Sequence, residues 1–314
     1  MYPGKFYSKG KFLLSGEYAV LYGAEALAVP LKFGQRMVVE EIPDPGILQW
    51  ETFVMDQPWF RARFDKEKFD TLSSTDERIS SFIKRLLVNA SDLQPELKEP
   101  ATGFMIRNYI DFDIRWGLGS SSSLLSNLAY WLDIDPFTLY KKTFNGSGYD
   151  IFCARSETPL LYKLKKGSPV AHIAQLDWPF TGQIYFIYLG KKQDSQLSVK
   201  NFLAGKNVDE HILVTISGLT EQLMNASSIG EFQESMKSHE EIMSTVLGIK
   251  PVKTAQFPDF EGEIKSLGAW GGDFIMAATI HDRGYVVDYF ARKQMPVIFG
   301  WNEIVYDDQI SGMI

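Results

Sequence analysis

Cysteine is almost absent from this chain. Cys153 is the only one among 314 residues, which excludes an intrachain disulfide and a cysteine-rich metal cluster. Its neighbours Phe152 and Ala154 are apolar, a setting more typical of a small buried residue than of a nucleophile. Chemistry is therefore expected from other side chains.

Excess positive charge and long apolar runs are also lacking. Lysine and arginine number 32 against 39 acidic residues, a net charge of -7. This balance disfavours nucleic acid or an anionic membrane as the main partner, and it still allows a basic pocket for a phosphorylated small molecule. No segment approaches the roughly 18 uncharged apolar residues of a membrane-spanning helix, and residues 1–11 lack the apolar centre of a signal peptide. We therefore expect a cytoplasmic protein.

A glycine- and serine-rich run stands directly before an apolar, helical stretch at residues 124–132. Glycine lets a backbone approach an anion closely, serine caps helices, and a helix N-terminus presents unpaired N–H groups. No Gly-Lys-Ser/Thr closes the run, so a P-loop is disfavoured. The alternative is a flexible loop that only caps a helix. The residues expected to form this phosphate-binding turn are Gly117, Leu118, Gly119, Ser120, Ser121 and Ser122.

Strand and helix patterns follow one another without regular β-α-β order, which indicates an α+β protein with two domains. Strands are predicted at residues 12–14, 31–40, 48–54, 104–114, 160–164, 170–176, 184–189, 274–279 and 296–299. Helices are predicted at residues 76–93, 208–224 and 228–247, with Ser228 and Gly248 bounding the last, and another opens near Tyr285.

Four segments carry a family resemblance in both content and order. The Gly-Lys and Gly-Glu pairs between Gly10 and Val20 resemble the first motif of the GHMP kinases, which include galactokinase, homoserine kinase, mevalonate kinase and phosphomevalonate kinase. Residues 117–121, 147–150 and 268–272 are similar to the later motifs. The resemblance spans nearly the whole chain and is strongest to mevalonate kinases. Residues 148–151 also resemble the signature of a bacterial subgroup named for Gly-Tyr-Asp-Ile-Ala.

The resemblance implies a two-domain α+β GHMP kinase fold, with an N-terminal ribosomal protein S5 domain 2-like part and a C-terminal ferredoxin-like part. Residues 1–170 would form the ATP-binding domain and residues 171–314 the C-terminal domain. The implied activity is that of an ATP- and Mg²⁺-dependent transferase that moves the γ-phosphoryl group to an alcohol. Mevalonate is the favoured acceptor, which would place the enzyme in isoprenoid biosynthesis.

Roles for single residues also follow from the resemblance. Asp150 is the expected base, and Lys11 would lie near it, where a cation lowers a carboxyl pKa or stabilises charge on the transferring group. Ser121 would supply a hydroxyl to Mg²⁺. Substrate contacts are expected from Glu17, Tyr18, Gly148, Tyr149, Gly271 and Gly272.

Simpler roles remain open for these residues. Asp150 could be a solvated carboxylate on a tight turn, and Lys11 a surface lysine. Glu17 could hydrogen-bond a turn backbone. The last motif could be a β-turn between a helix and the strand at residues 274–279.

The sequence departs from the family pattern in several places. Trp116 precedes the glycine-serine run and Trp270 replaces a glycine, so each indole could narrow the pocket, stack on adenine or simply pack. Asp150 follows Ser121 by only 29 residues. The family's magnesium-binding glutamate would fall near Leu139, where no acid stands, and the nearest carboxylates are Asp133 and Asp135.

The sequence leaves three further activities open. Tyr18 and the Gly-Gly-Asp-Phe segment at residues 271–274 are similar to phosphomevalonate kinases. A nucleotide-binding regulatory protein that has lost phosphoryl transfer is a second alternative, and a related decarboxylase is less favoured.

The chain could also form a homodimer, and the sequence leaves the oligomeric state open.

Overall fold

A computed structural model describes residues 3–99, 101–191, 193, 195–205 and 208–306. These residues form two compact units that interleave along the chain. The first unit takes the chain up to residue 10, residues 33–114 and residues 118–155. The second takes residues 11–32, 115–117 and the chain from residue 156. A domain boundary between residues 170 and 171 stays a prediction.

The first unit is built on a sheet in the order β5-β4-β3-β6-β2, in which β3 and β6 are parallel and the other neighbours antiparallel. Two long strands, β1 and β2, contribute residues to both units. The strands are β1 (Gly4–Ser15), β2 (Ala26–Ile42), β3 (Ile47–Val54), β4 (Gln57–Asp65), β5 (Thr71–Ser74) and β6 (Gly103–Ile110). Alternation along β3 and β4 buries Leu48, Trp50, Phe60 and Phe64, as expected for strands with one face on a core.

Four of the helices that the structure describes belong to the first unit and share one apolar core with its sheet. They are α1 (Glu77–Ser91), α2 (Ser120–Leu132), α3 (Pro136–Thr143) and α4 (Tyr149–Arg155). Helix α1 begins where the Asp76 carboxylate accepts the N–H groups of Arg78 and Ile79. Asp150 is the second residue of α4, so it belongs to a helix. This corrects the alternative in which Asp150 is a solvated carboxylate on a tight turn.

The second unit contains a four-stranded antiparallel sheet in the order β10-β11-β9-β12, and its β7-β8 hairpin pairs with residues 26–28 of β2. The strands are β7 (Leu160–Lys165), β8 (Ser168–Ile173), β9 (Ile184–Tyr188), β10 (Glu263–Ser266), β11 (Phe274–Ala278) and β12 (Ile298–Gly300). The helices are α5 (Ser195–Gly205), α6 (Glu210–Met224), α7 (Ile229–Leu247), α8 (Val252–Gln256), α9 (Arg283–Arg292) and α10 (Trp301–Ile304).

The predicted ends of the longest helix are confirmed. Ser228 accepts the N–H of Glu231 at the start of α7, and Gly248 ends it in the left-handed conformation. The last glycine motif, in contrast, connects the antiparallel strands β10 and β11, so the expectation of a helix before it was wrong. No described helix has the length and apolarity to cross a membrane.

Candidate functional site

The glycine-serine run opens α2 as the sequence predicted. Gly119 is the N-cap residue, with a φ of 98°, and its carbonyl accepts both the Ser122 hydroxyl at 2.9 Å and the Ser123 N–H at 2.9 Å. Ser121 is the exposed serine of the run, whereas Ser122 and Leu118 are buried. The first turn of α2 therefore offers N–H groups and one exposed hydroxyl to an anion.

A buried polar network fixes α2 against the strands of the first unit. Asn127 receives the Ser8 hydroxyl at 2.9 Å and donates to the Gln35 carbonyl at 2.8 Å. The Ser123 hydroxyl donates to the Gln35 side chain at 2.9 Å, and that side chain donates to Asn108 at 3.3 Å. These residues position the serine-bearing turn, and sequence reasoning missed their role because each looks like an ordinary polar residue.

Helix α4 carries Asp150 and packs on α2. Arg155, at the last residue of α4, donates to the Ser126 carbonyl at 3.2 Å and stacks over the Tyr130 ring at 3.4 Å. These contacts join the C-terminal end of α4 to residues 126–130 of α2. Asp150 and Ser121 are each the second residue of their helix.

Tight packing explains one glycine before Asp150. Gly148 has a φ of 79°, and a Cβ there would lie 2.5 Å from the Phe137 ring. Tyr149 follows as the first residue of α4 and is half-buried. The glycine is thus required by the fold whether or not a substrate approaches it.

Neither nearby carboxylate replaces the missing glutamate. Asp133 ends α2 in the left-handed conformation, about 18 Å along the helix from Ser121 at 1.5 Å per residue. Asp135 accepts the Thr138 N–H as the N-cap of α3. Leu139, in the family's glutamate register, is buried. Among the described residues no group of three histidine, cysteine or acidic side chains could hold a metal ion.

In the second unit Lys11 reaches the beginning of the glycine-serine run. Its ammonium donates to the Gly117 carbonyl at 3.2 Å. Trp116 packs edge-on against Phe274 and Phe299, with ring centroids 6.3 and 5.4 Å apart. These contacts give Trp116 a packing role.

Glu17 is buried in an ionic cluster rather than open to solvent. Its carboxylate receives the Lys265 ammonium, and its other oxygen lies 3.3 Å from His239 Nε2. Burial raises the pKa of Glu17, and the charge of Lys265 opposes that rise. Neither of the two sequence-based interpretations of Glu17 included this lysine.

Tyr18 lies next to that cluster and is partly buried. Its ring packs 4.8 Å from the Phe202 ring. Burial raises the pKa of the Tyr18 hydroxyl. Hydrogen bonds with the Ser198 side chain and the Trp270 backbone oppose that rise of the pKa.

The last glycine motif packs closely against a neighbouring segment of the second unit. A Cβ at Gly272 would lie 2.7 Å from the Lys191 carbonyl, and one at Gly271 would lie 3.3 Å from the Gln193 amide. Trp270 is buried with Ala19 and Met243. Its indole thus has a packing role in the second unit.

No protein-family model and no curated protein matches the chain. Solved structures match over nearly its whole length. Streptococcus pneumoniae phosphomevalonate kinase, in complex with phosphomevalonate and AMPPNP, is 18% identical with a TM-score of 0.68 over 96% of this chain and 100% of that one. The L. major mevalonate kinase in complex with R-mevalonate is 17% identical with a TM-score of 0.65, over 97% and 96% of the two chains. Lactococcus lactis galactokinase, complexed with galactose, is 14% identical with a TM-score of 0.66, over 97% and 94%.

The chain has the two-domain fold of the GHMP kinases. This confirms the fold class predicted from the four motifs. At such identities the likeness shows the fold and not the roles of single residues.

Proposed function

We propose that the protein is an ATP- and Mg²⁺-dependent kinase that phosphorylates a small-molecule alcohol. The observation that carries the proposal is the pairing of α2 and α4, which sets Ser121 and Asp150 in the first turns of two packed helices. The first turn of α2 suits a phosphate chain, and the first turn of α4 supplies a carboxylate. The fold shared with kinases of mevalonate, phosphomevalonate and galactose supports this function.

In this proposal the chain positions the reactants and handles one proton. The N–H groups at the start of α2 bind the β- and γ-phosphates, and Lys11 stabilises negative charge near Gly117. Asp150 accepts the proton of the acceptor hydroxyl as the hydroxyl oxygen bonds to the γ-phosphorus. The bond from that phosphorus to the β,γ-bridging oxygen breaks, and ADP is the second product.

The donor set fits a magnesium ion held chiefly by the nucleotide. Mg²⁺ usually keeps several waters and takes one or two protein oxygens beside the substrate phosphates. Ser121 and Asp150 are the two oxygen-bearing side chains that would hold it. When bound, the ion would neutralise charge on the phosphates.

We infer that mevalonate is the acceptor, because the first motif and the mevalonate kinase folds favour it. Phosphomevalonate is the second candidate, favoured by Tyr18 and Asp273 together with the phosphomevalonate kinase fold. Tyr18, Gly148, Tyr149, Gly271 and Gly272 are proposed to line the acceptor site. Glu17 is buried and bonded to Lys265, so the expected direct contact of its carboxylate with the substrate is replaced by a role in supporting Tyr18. The assignment to the bacterial subgroup stays a prediction.

An ADP-release assay over mevalonate, phosphomevalonate, homoserine and galactose tests the function. We expect turnover with one acceptor, and Asp150→Asn should lower kcat by about a hundredfold or more. Asp133→Asn is the matched control, because it changes a carboxylate at the opposite end of α2 and asparagine tolerates the left-handed backbone there. The proposal fails if every acceptor is inert or if Asp150→Asn turns over like wild type. ATP binding without turnover would favour the regulatory alternative.

A further inference from the structure

Tyr18 lies at the centre of a strained turn. Its φ is 58° and its ψ is -43°, and the Ala19 N–H donates to the Glu17 carbonyl across it at 2.6 Å. This is the geometry of the rare γ-turn that L residues seldom adopt. Such backbone persists only where its surroundings hold it in place.

The residues before Tyr18 are held by side chains from distant parts of the second unit. The Gly16 N–H donates to His239 Nε2 at 2.9 Å. The Glu17 carboxylate receives the Lys265 ammonium. After the turn, the Val20 N–H returns to the Gly16 carbonyl at 2.9 Å.

Lys265 is the cation that compensates Glu17. His239 accepts from Gly16 at Nε2, so that nitrogen has no proton to offer to Glu17. Burial and the nearby Lys265 also hold the pKa of His239 well below its usual range, which keeps the ring neutral. Lys265 and Glu17 are 0% and 1% exposed, so the pair is fully inside the protein.

A buried ion pair is weak evidence for stability, because apolar replacements are often equally stable. It does fix geometry. Lys265 is anchored on β10 through a second bond to the Ser266 carbonyl at 3.0 Å. Ser266 donates in turn from its N–H and its hydroxyl to Glu240, the residue after His239 on α7, at 3.0 and 2.9 Å. Lys265 and His239, which hold the turn, therefore stand on β10 and α7, and the bonds between Ser266 and Glu240 join these two elements.

We propose that Lys265 is a positioning residue, whose ammonium holds Glu17 and thereby the strained turn that presents Tyr18. The proposal rests on the proposed function in one respect, namely that Tyr18 contacts the acceptor. The bond from Lys265 to Glu17 joins residues 248 positions apart.

Hydrogen exchange of the segment at residues 17–24 tests the positioning directly. Glu17→Gln keeps an oxygen that accepts from Lys265, whereas Glu17→Gln/Lys265→Met removes the donor. Glu240, the other buried carboxylate that feels the charge of Lys265, is present in both variants. We expect the segment to exchange about tenfold faster in the double variant than in Glu17→Gln, with β10 and α7 unchanged. Lys253→Met/Glu263→Gln is the control, because it removes another lysine–glutamate pair of the second unit, 3.3 Å apart.

Kinetics supply a readout that a purely structural role would not move. The double variant should raise the acceptor KM about fivefold or more over Glu17→Gln and leave the KM for ATP within about twofold. The control pair should change neither constant. If the double variant does not fold, Glu17→Gln/Lys265→Gln is measured in its place. A glutamine side chain at position 265 is shorter than the lysine and does not reach residue 17.

Each outcome decides the proposal. Equal exchange in Glu17→Gln and the double variant overturns it, as does equal acceleration in the control pair. Faster exchange in a protein that phosphorylates none of the acceptors supports the positioning role while the proposed function fails. Unchanged exchange in an active kinase rejects the role of Lys265 and leaves the kinase standing.

Discussion

Asp273 packs its carboxylate directly against the α-carbon of Gly117. A Cβ added to Gly117 would lie 2.6 Å from the Asp273 carboxyl carbon. The same aspartate accepts the Gln193 N–H at 3.0 Å, and its φ is 51°. The residue that directly follows the last motif thus touches Gly117, whose carbonyl receives Lys11.

Gly117→Ala should be strongly destabilising, by about 3 kcal/mol or more, because a φ of 69° and the Asp273 contact both oppose a side chain. Gly46→Ala is the matched control, since its φ is 77° and nothing lies within 4 Å of the added Cβ. There we expect a loss of about 1 kcal/mol. Urea unfolding measures both, and equal losses would show that the Asp273 contact is unimportant.

Ser121→Ala and Ser122→Ala should separate ligand binding from stability. Ser121 is exposed, so its loss should lower kcat by about tenfold or more and leave the melting temperature unchanged. Ser122 donates to the Gly119 carbonyl, so its loss should cost about 1 kcal/mol of unfolding free energy. ADP release and thermal melts distinguish them. A Ser121 variant with wild-type kcat would remove this residue from the metal site.

Asn127→Ala should lower the free energy of unfolding by about 2–4 kcal/mol. The substitution removes a donor and an acceptor from a buried network and leaves the Ser8 hydroxyl and the Gln35 carbonyl without this partner. Asn89→Ala is the control, because its amide donates to the Lys142 carbonyl in an exposed setting. Chemical denaturation checks the difference, and a loss no larger than that of the control would contradict it.

His239 should make the fold less stable in acid. Burial lowers the pKa of its ring well below the ordinary 6.5, so in acid the unfolded chain takes up a proton that the folded chain refuses. This contribution is fully present above about pH 6.5 and is lost as pH falls further. We therefore expect the unfolding free energy of wild type to fall more steeply between about pH 7 and 5 than that of His239→Gln.

The comparison isolates the imidazole, because Glu17, Glu240 and Lys265 are present in both proteins. Burial raises the pKa of Glu17 and of Glu240, which acts in the opposite direction on the pH slope. Equal slopes for the two proteins would show that the ring titrates alike in the folded and unfolded chains.

Local signals explain what the sequence could predict. Ser228 and Gly248 located the ends of α7 because each acts on backbone groups within a few residues. Gly119 marked the start of α2 for the same reason. The strand before the last motif, β10, has only four residues, too few for a reliable pattern, and it was missed.

Long-range pairing explains what the sequence could not predict. In the sequence Lys265 cannot be told from any other lysine, and only the fold brings it to Glu17. His239 lies in a helix that the sequence did predict, yet nothing local indicates that its ring accepts from Gly16. The two tryptophans were left between packing and ligand contact, and the structure gives both a packing role.

The bond between residues 17 and 265 also constrains how this protein is made. Synthesis runs from the N-terminus, so the turn at Tyr18 leaves the ribosome long before β10 exists. The β-bridge of Leu31 forms later still, because its partner, Val305, is translated after β10. The second unit can therefore complete these contacts only after residue 305 has been translated, and nascent chains halted before residue 265 should leave the turn at Tyr18 open to proteases and chaperones.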